Sequence, residues 1–362
     1  MIVLKVLHIV SALVGGGVES SIMGSYRVLK DRGVTFDFVV FTDRVGMLED
    51  EVKSYGGTVY HIPSRRESYF GSIKAIKRIM REGDHEIVHC HLAEKGFWFY
   101  FYAKKYGKKC IMHTHGCWNE QSLLKMLKKR ILTHFSLKYC DMCCSCSTRS
   151  AKYVFEKDYK KSNIVLNAFK TEKFLFSDSD RREIRQEFGV ADDDFLIGAI
   201  GRLSAEKNQG FLIKILAEIL KKRKNAKLLL VGDGAMRAEW ERLANDLADG
   251  RVIFAGNVKN PEKYYSALDA FSLPSINEGF GMALVEAQLN GLKCVVSSYI
   301  TDEAIVKSED AVKIPLSDEK AWADAFVNMP CGYERNVDIK AFEKFSAKNV
   351  AEQLLALYNK LV

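Results

Sequence analysis

Short apolar runs alternate with amphipathic stretches along the whole chain, and most of the later runs end in glycine or serine. In the first half the runs are Val3–Val10, Phe36–Thr42, Gly57–Ile62, Glu86–His91, Cys110–Gly116 and Tyr139–Ser147. In the second half they are Phe195–Gly201, Lys227–Gly232, Arg251–Gly256, Ala270–Ser275 and Lys293–Ser298. Helical patterns such as Glu19–Leu29 and Ser72–Arg81 lie between them. Strands separated by helices build parallel sheets, because a parallel pair needs a long crossover. Ligands in such sheets bind outside the strands' carboxyl ends, where glycine and serine fall here. The pattern occurs twice, and 362 residues suffice for two cores. The fold class expected is therefore α/β, with domain 1–170 and domain 171–339 joined in the polar stretch Asn167–Asp180. The last segment, Lys340–Leu361, reads as a helix that packs back on the first domain, so that 340–362 belongs with it.

Composition narrows the class. Hydrophobic residues make up 48% and charged residues 28%, which argues against global disorder. A net charge of +8 is too small an excess to indicate nucleic acid. The opening MIVLKVLHIV has no basic leader and no cleavage site, and no uncharged apolar run reaches bilayer length. A cytoplasmic location is expected. Nine cysteines, an odd number, read as free thiols in a reducing compartment. Cys140 and Cys143 have CxxC spacing, but no second pair accompanies them. A strand divides Cys140, Cys143, Cys144 and Cys146 between its two faces.

Two segments carry the chemistry. EGFGMALVE (Glu278–Glu286) follows an apolar strand and a Pro274–Ser275 corner and opens a helix. Glycine lets backbone approach a ligand, and a helix N-terminus favours an anion. Glu278 and Glu286 flank that terminus, which suits two phosphates held between two polyols. GRLSAEKNQGF (Gly201–Phe211) also follows a strand, and from its turn Arg202 and Lys207 can converge on one diphosphate. GGGVE (Gly15–Glu19) fails as a dinucleotide fingerprint, since Ser20 stands where the last glycine is required. It is still placed to bring backbone amides to a phosphate.

Other features leave alternatives open. His89 and His91, and His113 and His115, each share a strand face. No carboxylate is interleaved, so no metal site is expected, and His115 is read as a cleft residue beside Gly116. Gln121–Tyr139 has an apolar stripe of Leu123, Leu124, Leu127, Ile131 and Leu132, with Lys125, Lys128, Lys129, Arg130 and Lys138 elsewhere. It is either a helix lying on an anionic membrane surface or a core-packing helix with a solvated face. Asp192–Asp194 reads as a loop.

Together, GGGVE, HTHG, the Asn167–Ala168–Phe169 linker, GRLSAEKN, LLLVGDG, FAGNV and EGFGMALVE resemble the GT-B nucleotide-sugar glycosyltransferases, in particular the retaining family numbered 4. Within it the chain is similar to bacterial capsule, exopolysaccharide and lipopolysaccharide enzymes. The resemblance implies two Rossmann-like domains facing a deep cleft, acceptor-binding first and donor-binding second, with the C-terminal helix crossing back. It implies that Arg202 and Lys207 bind the donor diphosphate and that Glu286 binds the ribose. Glu278 would hold the transferred sugar, helped by amides around Phe280 and Gly281, while amides at Met282 and Ala283 face the phosphates. Gly16 and Gly17 would approach the donor, His115 would sit beside the sugar and Val258 would flank the base. The catalytic set implied is Glu278, His115, Arg202 and Lys207, with no metal and no cofactor. The donor implied is a nucleotide diphosphate hexose, UDP-linked, and the acceptor a lipid-linked glycan at the inner face of the cell membrane. A sugar-nucleotide epimerase or phosphorylase, and a non-catalytic nucleotide-binding subunit, are the competing readings. Ala168 and Phe169, and Lys293 where relatives have proline, depart from the family pattern.

Overall fold

A computed structural model describes residues 4–117, 122–248 and 250–362. It divides into two compact units, Met1–Lys170 with Glu343–Val362, and Thr171–Phe342.

The first unit holds a seven-stranded sheet of β1 (Leu4–Ile9), β2 (Val34–Val40), β3 (Val59–His61), β4 (Ile87–Cys90), β5 (Lys109–Thr114), β6 (Met142–Ser145) and β7 (Asn163–Ile164), in the order β3-β2-β1-β4-β5-β6-β7. Every pairing is parallel. The inner strands β2, β1, β4 and β5 are buried on both faces, as parallel strands between helical layers are, while the edge strands β3 and β7 are not. Val6, Phe36, Ile87 and Cys144 enter one core, and Leu7, Val39, Val88 and Cys110 the other. Cys143 packs against the second core, so adjacent cysteines do part to opposite faces.

The second unit holds six parallel strands, β8 (Phe195–Ile200), β9 (Ala226–Val231), β10 (Val252–Gly256), β11 (Ala270–Leu273), β12 (Cys294–Ser297) and β13 (Ala311–Ile314), in the order β10-β9-β8-β11-β12-β13. The order reverses between β1 and β4 in one sheet and between β8 and β11 in the other. Such switch points leave a crevice at the strand ends.

The C-terminal helix, Ala347–Asn359, packs on the helix Gly17–Leu29 within the first unit. Val350, Ala351, Leu354 and Tyr358 share a core with Ile22, Met23 and Tyr26. The single helix expected over Lys340–Leu361 is two pieces. A 3-10 stretch, Ile339–Phe345, stops at Ser346, whose hydroxyl then caps the α-helix by accepting from the Asn349 amide at 3.2 Å. Strand β13 has no counterpart in the sequence reading. It is a four-residue edge strand with Val312 half-exposed and Lys313 within it, so it lacks an apolar run.

The basic helix runs Leu123–Leu137; Gln121, counted in it from the sequence, lies outside the described residues. Its two fully buried residues are polar, Thr133 and Ser136. Leu123 and Leu124 are about four-fifths exposed, at 81% and 79%, and Leu127 and Ile131 are also exposed. Four of the five stripe residues therefore face solvent, Leu132 is half-buried, and the helix packs on the unit through Thr133, Ser136 and Leu137 instead. Asp192–Asp194 is a loop, in which Asp194 accepts from the Ala191 amide and pairs with Lys227 at 2.8 Å.

Candidate active site

The loops leaving β8 and β11 meet at the switch point of the second sheet. The β8 loop is a tight turn in which the amides of Lys207 and Asn208 both donate to the Ser204 carbonyl at 3.0 Å. Asn208 then takes a left-handed conformation and opens the helix Gln209–Leu220. Two bonds stitch this turn to the β11 loop. The Ile276 amide donates to the Glu206 carbonyl at 2.9 Å, and Asn208 Nδ2 donates to the Pro274 carbonyl at 3.3 Å. The stitching sets Lys207 against the acidic segment. Its ammonium donates to Glu278 Oε2 at 2.5 Å, and the same oxygen accepts from Ser275 Oγ at 3.2 Å.

Gly281 turns the chain into the helix Met282–Leu289 with φ at +101°, a conformation that side chains rarely adopt. A Cβ there would also stand 3.6 Å from Glu278 Cγ. Phe280 is buried at 2% and anchors the turn from below. Met282 and Ala283 are half-buried in the first helical turn, where backbone N–H groups have no partner four residues back. Glu286 lies one turn further on and accepts from the Tyr265 hydroxyl at 2.6 Å. Part of the residue keeps contact with solvent, but its carboxyl points inward. Burial raises its pKa, and the Tyr265 bond and the Lys207 charge only partly offset this.

Arg202 is exposed, and its guanidinium makes no hydrogen bond or ion pair with a described residue. It stands near Glu206, whose carboxyl is held low by its own backbone amide and Ser204, with Arg202 and Lys207 adding to the pull. Val258 is half-buried in the loop after β10. Gly232, at the end of β9, has φ +123°, and a Cβ on it would lie 2.2 Å from the Gly201 carbonyl oxygen. The β8 and β9 ends therefore pack backbone to backbone, which sets the base of the turn carrying Arg202. The second unit thus gathers Lys207, Glu278, Glu286 and the Gly281 helix start, with Arg202 at the rim. Two cations and a helix N-terminus suit an anion, and two carboxylates suit hydroxyls.

Sequence reading did not find Ser275, Asn208 or Tyr265. Ser275 and Asn208 lay inside the quoted motifs, where polar residues at turns were the available signal. Tyr265 precedes Glu286 by 21 residues and carried none.

In the first unit, Gly16 caps the helix Gly17–Leu29 at the β1/β4 switch point, and Gly17 is its exposed first residue. Glu19 folds back over this end. Burial raises its carboxyl pKa, and bonds from the amides of Glu19 and Gly16 partly offset the rise. His115 follows β5 with both ring nitrogens engaged, Nε2 with His91 Nδ1 at 2.8 Å and Nδ1 with Asn167 Oδ1 at 3.3 Å. Burial lowers its pKa to about 4, so the ring is neutral near pH 7.

Comparison with known proteins agrees with this architecture. Residues 15–172 match the family model described as Glycosyltransferase Family 4, and residues 194–329 match that described as Glycosyl transferases group 1. A Bacillus subtilis (strain 168) protein named as the glycosyltransferase EpsF is 26% identical over 337 residues, covering 88% of this chain and 86% of its own. An Escherichia coli UDP-Gal:alpha-D-GlcNAc-diphosphoundecaprenol alpha-1,3-galactosyltransferase is 26% identical over 272 residues, 71% of this chain and 70% of its own. The solved structure of Anabaena HepE, in complex with UDP and glucose, superposes with a TM-score of 0.81 at 18% identity, covering 98% of this chain and 99% of that one. The chain is a glycosyltransferase with the GT-B fold, made of a Glycosyltransferase Family 4 domain followed by a Glycosyl transferases group 1 domain.

Proposed function

We propose that this glycosyltransferase moves a hexose, with retention of configuration, from a UDP-linked donor to a lipid-linked glycan in surface polysaccharide biosynthesis. The observation that carries the reading is the convergence of Lys207, Glu278 and the Gly281 helix start at the β8/β11 switch point, with Glu286 one turn behind. Breaking the bond to the anomeric carbon leaves negative charge on the nucleotide diphosphate. Arg202, Lys207 and the amides of Met282 and Ala283 stabilise that charge where it develops, which is often the largest catalytic contribution. With these groups in place the transfer needs no divalent metal and no cofactor. Glu286, steadied by Tyr265, accepts from the ribose hydroxyls, Glu278 from those of the sugar, and Val258 flanks the base. Gly16, Gly17 and His115 keep the roles the resemblance implies. His115 acts as a neutral ring, because burial lowers its pKa to about 4.

The UDP-linked donor and the diphosphate-lipid acceptor follow the named substrates of the Escherichia coli relative. A transfer screen of sugar nucleotides against diphosphoundecaprenol-linked acceptors tests the assignment. Product with a UDP-hexose supports it. Turnover only with another nucleotide, or epimerised sugar without acceptor, rejects it.

The same reading sets the helix Leu123–Leu137 on an anionic membrane at the inner face of the cell membrane. Its exposed leucines support this, with Lys125 and Lys128 exposed beside them. Apolar insertion and headgroup attraction reinforce each other on such a helix. Among the described residues no helix is long and apolar enough to cross a membrane. Co-sedimentation with phosphatidylglycerol vesicles is expected to weaken in a Leu123→Ser, Leu124→Ser variant. Equal sedimentation of both proteins contradicts the placement.

A further inference from the structure

Five of the chain's eight histidines pack together in the first unit. His8 lies in β1, His89 in β4 and His113 in β5, while His91 and His115 follow the ends of β4 and β5. They form two hydrogen-bonded chains. In the first, His8 Nδ1 meets His91 Nε2 at 2.9 Å, His91 Nδ1 meets His115 Nε2 at 2.8 Å, and His115 Nδ1 meets Asn167 Oδ1 at 3.3 Å. In the second, the Tyr358 hydroxyl meets His89 Nδ1 at 2.9 Å, and His89 Nε2 meets His113 Nδ1 at 3.0 Å. The second chain stacks on the first, with ring centres 4.3 Å apart for His89 and His91 and 4.1 Å apart for His113 and His115. The space left among the rings is about 20 Å³, room for a single water and not for a turning imidazole.

The two ends of the first chain fix its direction. Asn167 Oδ1 can only accept, so His115 Nδ1 carries the proton and His115 Nε2 the lone pair. His91 Nδ1–H donates to that lone pair, and His8 Nδ1–H donates to His91 Nε2. His8 Nε2 is buried, has no hydrogen-bond partner among the described residues, and is left as a lone pair. Turning the Asn167 amide over would reverse every proton in the chain. His8 Nε2 would then be a buried N–H without an acceptor, which is the rarer and costlier defect. Burial lowers the pKa of all five rings, so the chains hold neutral tautomers.

We propose that His91 and Asn167 are positioning residues for sugar transfer, which hold the His115 ring as its Nδ1–H tautomer and so fix the strand end at His115–Gly116. In the function proposed above, on which this rests, His115 sits beside the transferred sugar. Both its ring nitrogens are spent on partners, one at the neighbouring strand end and one on the segment after β7. His113 covers one face of the ring. The strands that supply the histidines, β1, β4 and β5, are paired neighbours. Reacting groups need placement within about 0.5 Å, and side chains locked by packing and outer hydrogen bonds supply it. The same bond gives the Asn167–Ala168–Phe169 segment a task. Asn167 ties it to His115, and the Ala168 amide ties it to the first helix by donating to Ser21 Oγ at 2.7 Å.

Nitrogen-15 NMR of the full-length protein, labelled at histidine, reads the tautomer directly. His115, identified by the signal lost in His115→Gln, is expected as Nδ1–H with Nε2 unprotonated, the minor form of a free histidine. Asn167→Leu should abolish that preference. With a UDP-hexose and a diphosphoundecaprenol-linked acceptor, Asn167→Leu and His91→Leu should each lower kcat by about 10- to 100-fold. UDP affinity should be unchanged, because the groups that hold the diphosphate lie in the second unit. His91→Asn, whose amide nitrogen takes the place of Nδ1, should recover most of the rate. A merely structural role would lower Tm without changing the tautomer and without this rescue. Nε2–H at His115 in the wild type overturns the proposal. So does wild-type kcat in a folded Asn167→Leu variant that has lost the tautomer. The spectrum needs no substrate, so absence of transfer by the wild type rejects the donor assignment while the hydrogen-bond chain is still judged by its tautomer.

Discussion

Lys207 and Glu278 are 71 residues apart in the chain, yet the ammonium donates to Oε2 of the carboxylate at 2.5 Å. The contact joins the two motifs that dominate the sequence. A diphosphate approaching Lys207 meets a cation already shared with a carboxylate. Glu278→Gln should therefore lower the transfer rate by about 100-fold while nucleoside diphosphate affinity rises severalfold, since an anion next to the phosphate is removed. Calorimetric titration with UDP alongside steady-state rates measures both. Loss of affinity in step with rate would place Glu278 on the nucleotide instead of the sugar.

Glu286 gives a pH-dependent outcome. Burial raises its pKa, so the folded protein holds this proton at a pH where the unfolded chain has released it. The contribution to stability is present at low pH and is lost as pH rises from the ordinary carboxylate value through the raised one. Glu286→Gln removes that loss. Its Tm should exceed that of the wild type near pH 8, and the difference should shrink as pH falls toward 4. The same variant should raise the KM for the donor. Thermal scans across pH with donor kinetics check both, and a variant less stable at pH 8 contradicts the assignment.

Gly281→Ala places a side chain at φ +101° beside Glu278 Cγ. The left-handed conformation costs a non-glycine residue about 1–2 kcal/mol, and the backbone relaxation that relieves it moves the amides of Met282 and Ala283. Tm should fall by several degrees and transfer should fall more than that loss of folded protein accounts for. A variant that matches the wild type in rate at a temperature where both are folded would separate this turn from the donor.

The Leu123–Leu137 helix offers a control on packing. Leu123 and Leu124 are 81% and 79% exposed, so replacing both with serine should change stability by no more than about 1 kcal/mol, as surface substitutions do. Urea unfolding measures this. A loss of several kcal/mol would mean that the stripe is covered by protein.

The parallel sheets were legible because their inner strands are buried on both faces and so read as continuous apolar runs. The site was legible where a motif concentrates unusual residues, as GRLSAEKN and EGFGMALVE do. Pairings across the sheet were not. Nothing near Tyr265 signals that it donates to Glu286, and the bond exists because the helix Pro261–Ala267 lies near the helix Met282–Leu289. Strand β13 escaped because an edge strand tolerates Lys313 and an exposed Val312. The histidine pairs were visible by their period of two, but their meeting with His8 and Asn167 depends on β1, β4 and β5 being neighbours.

The most direct test of the account is the turnover of Arg202→Ala and Lys207→Ala with a saturating sugar nucleotide. If these cations stabilise the charge that develops on the departing diphosphate, each variant should lose on the order of 100-fold or more in kcat while remaining folded. Near-normal kcat in both would contradict it.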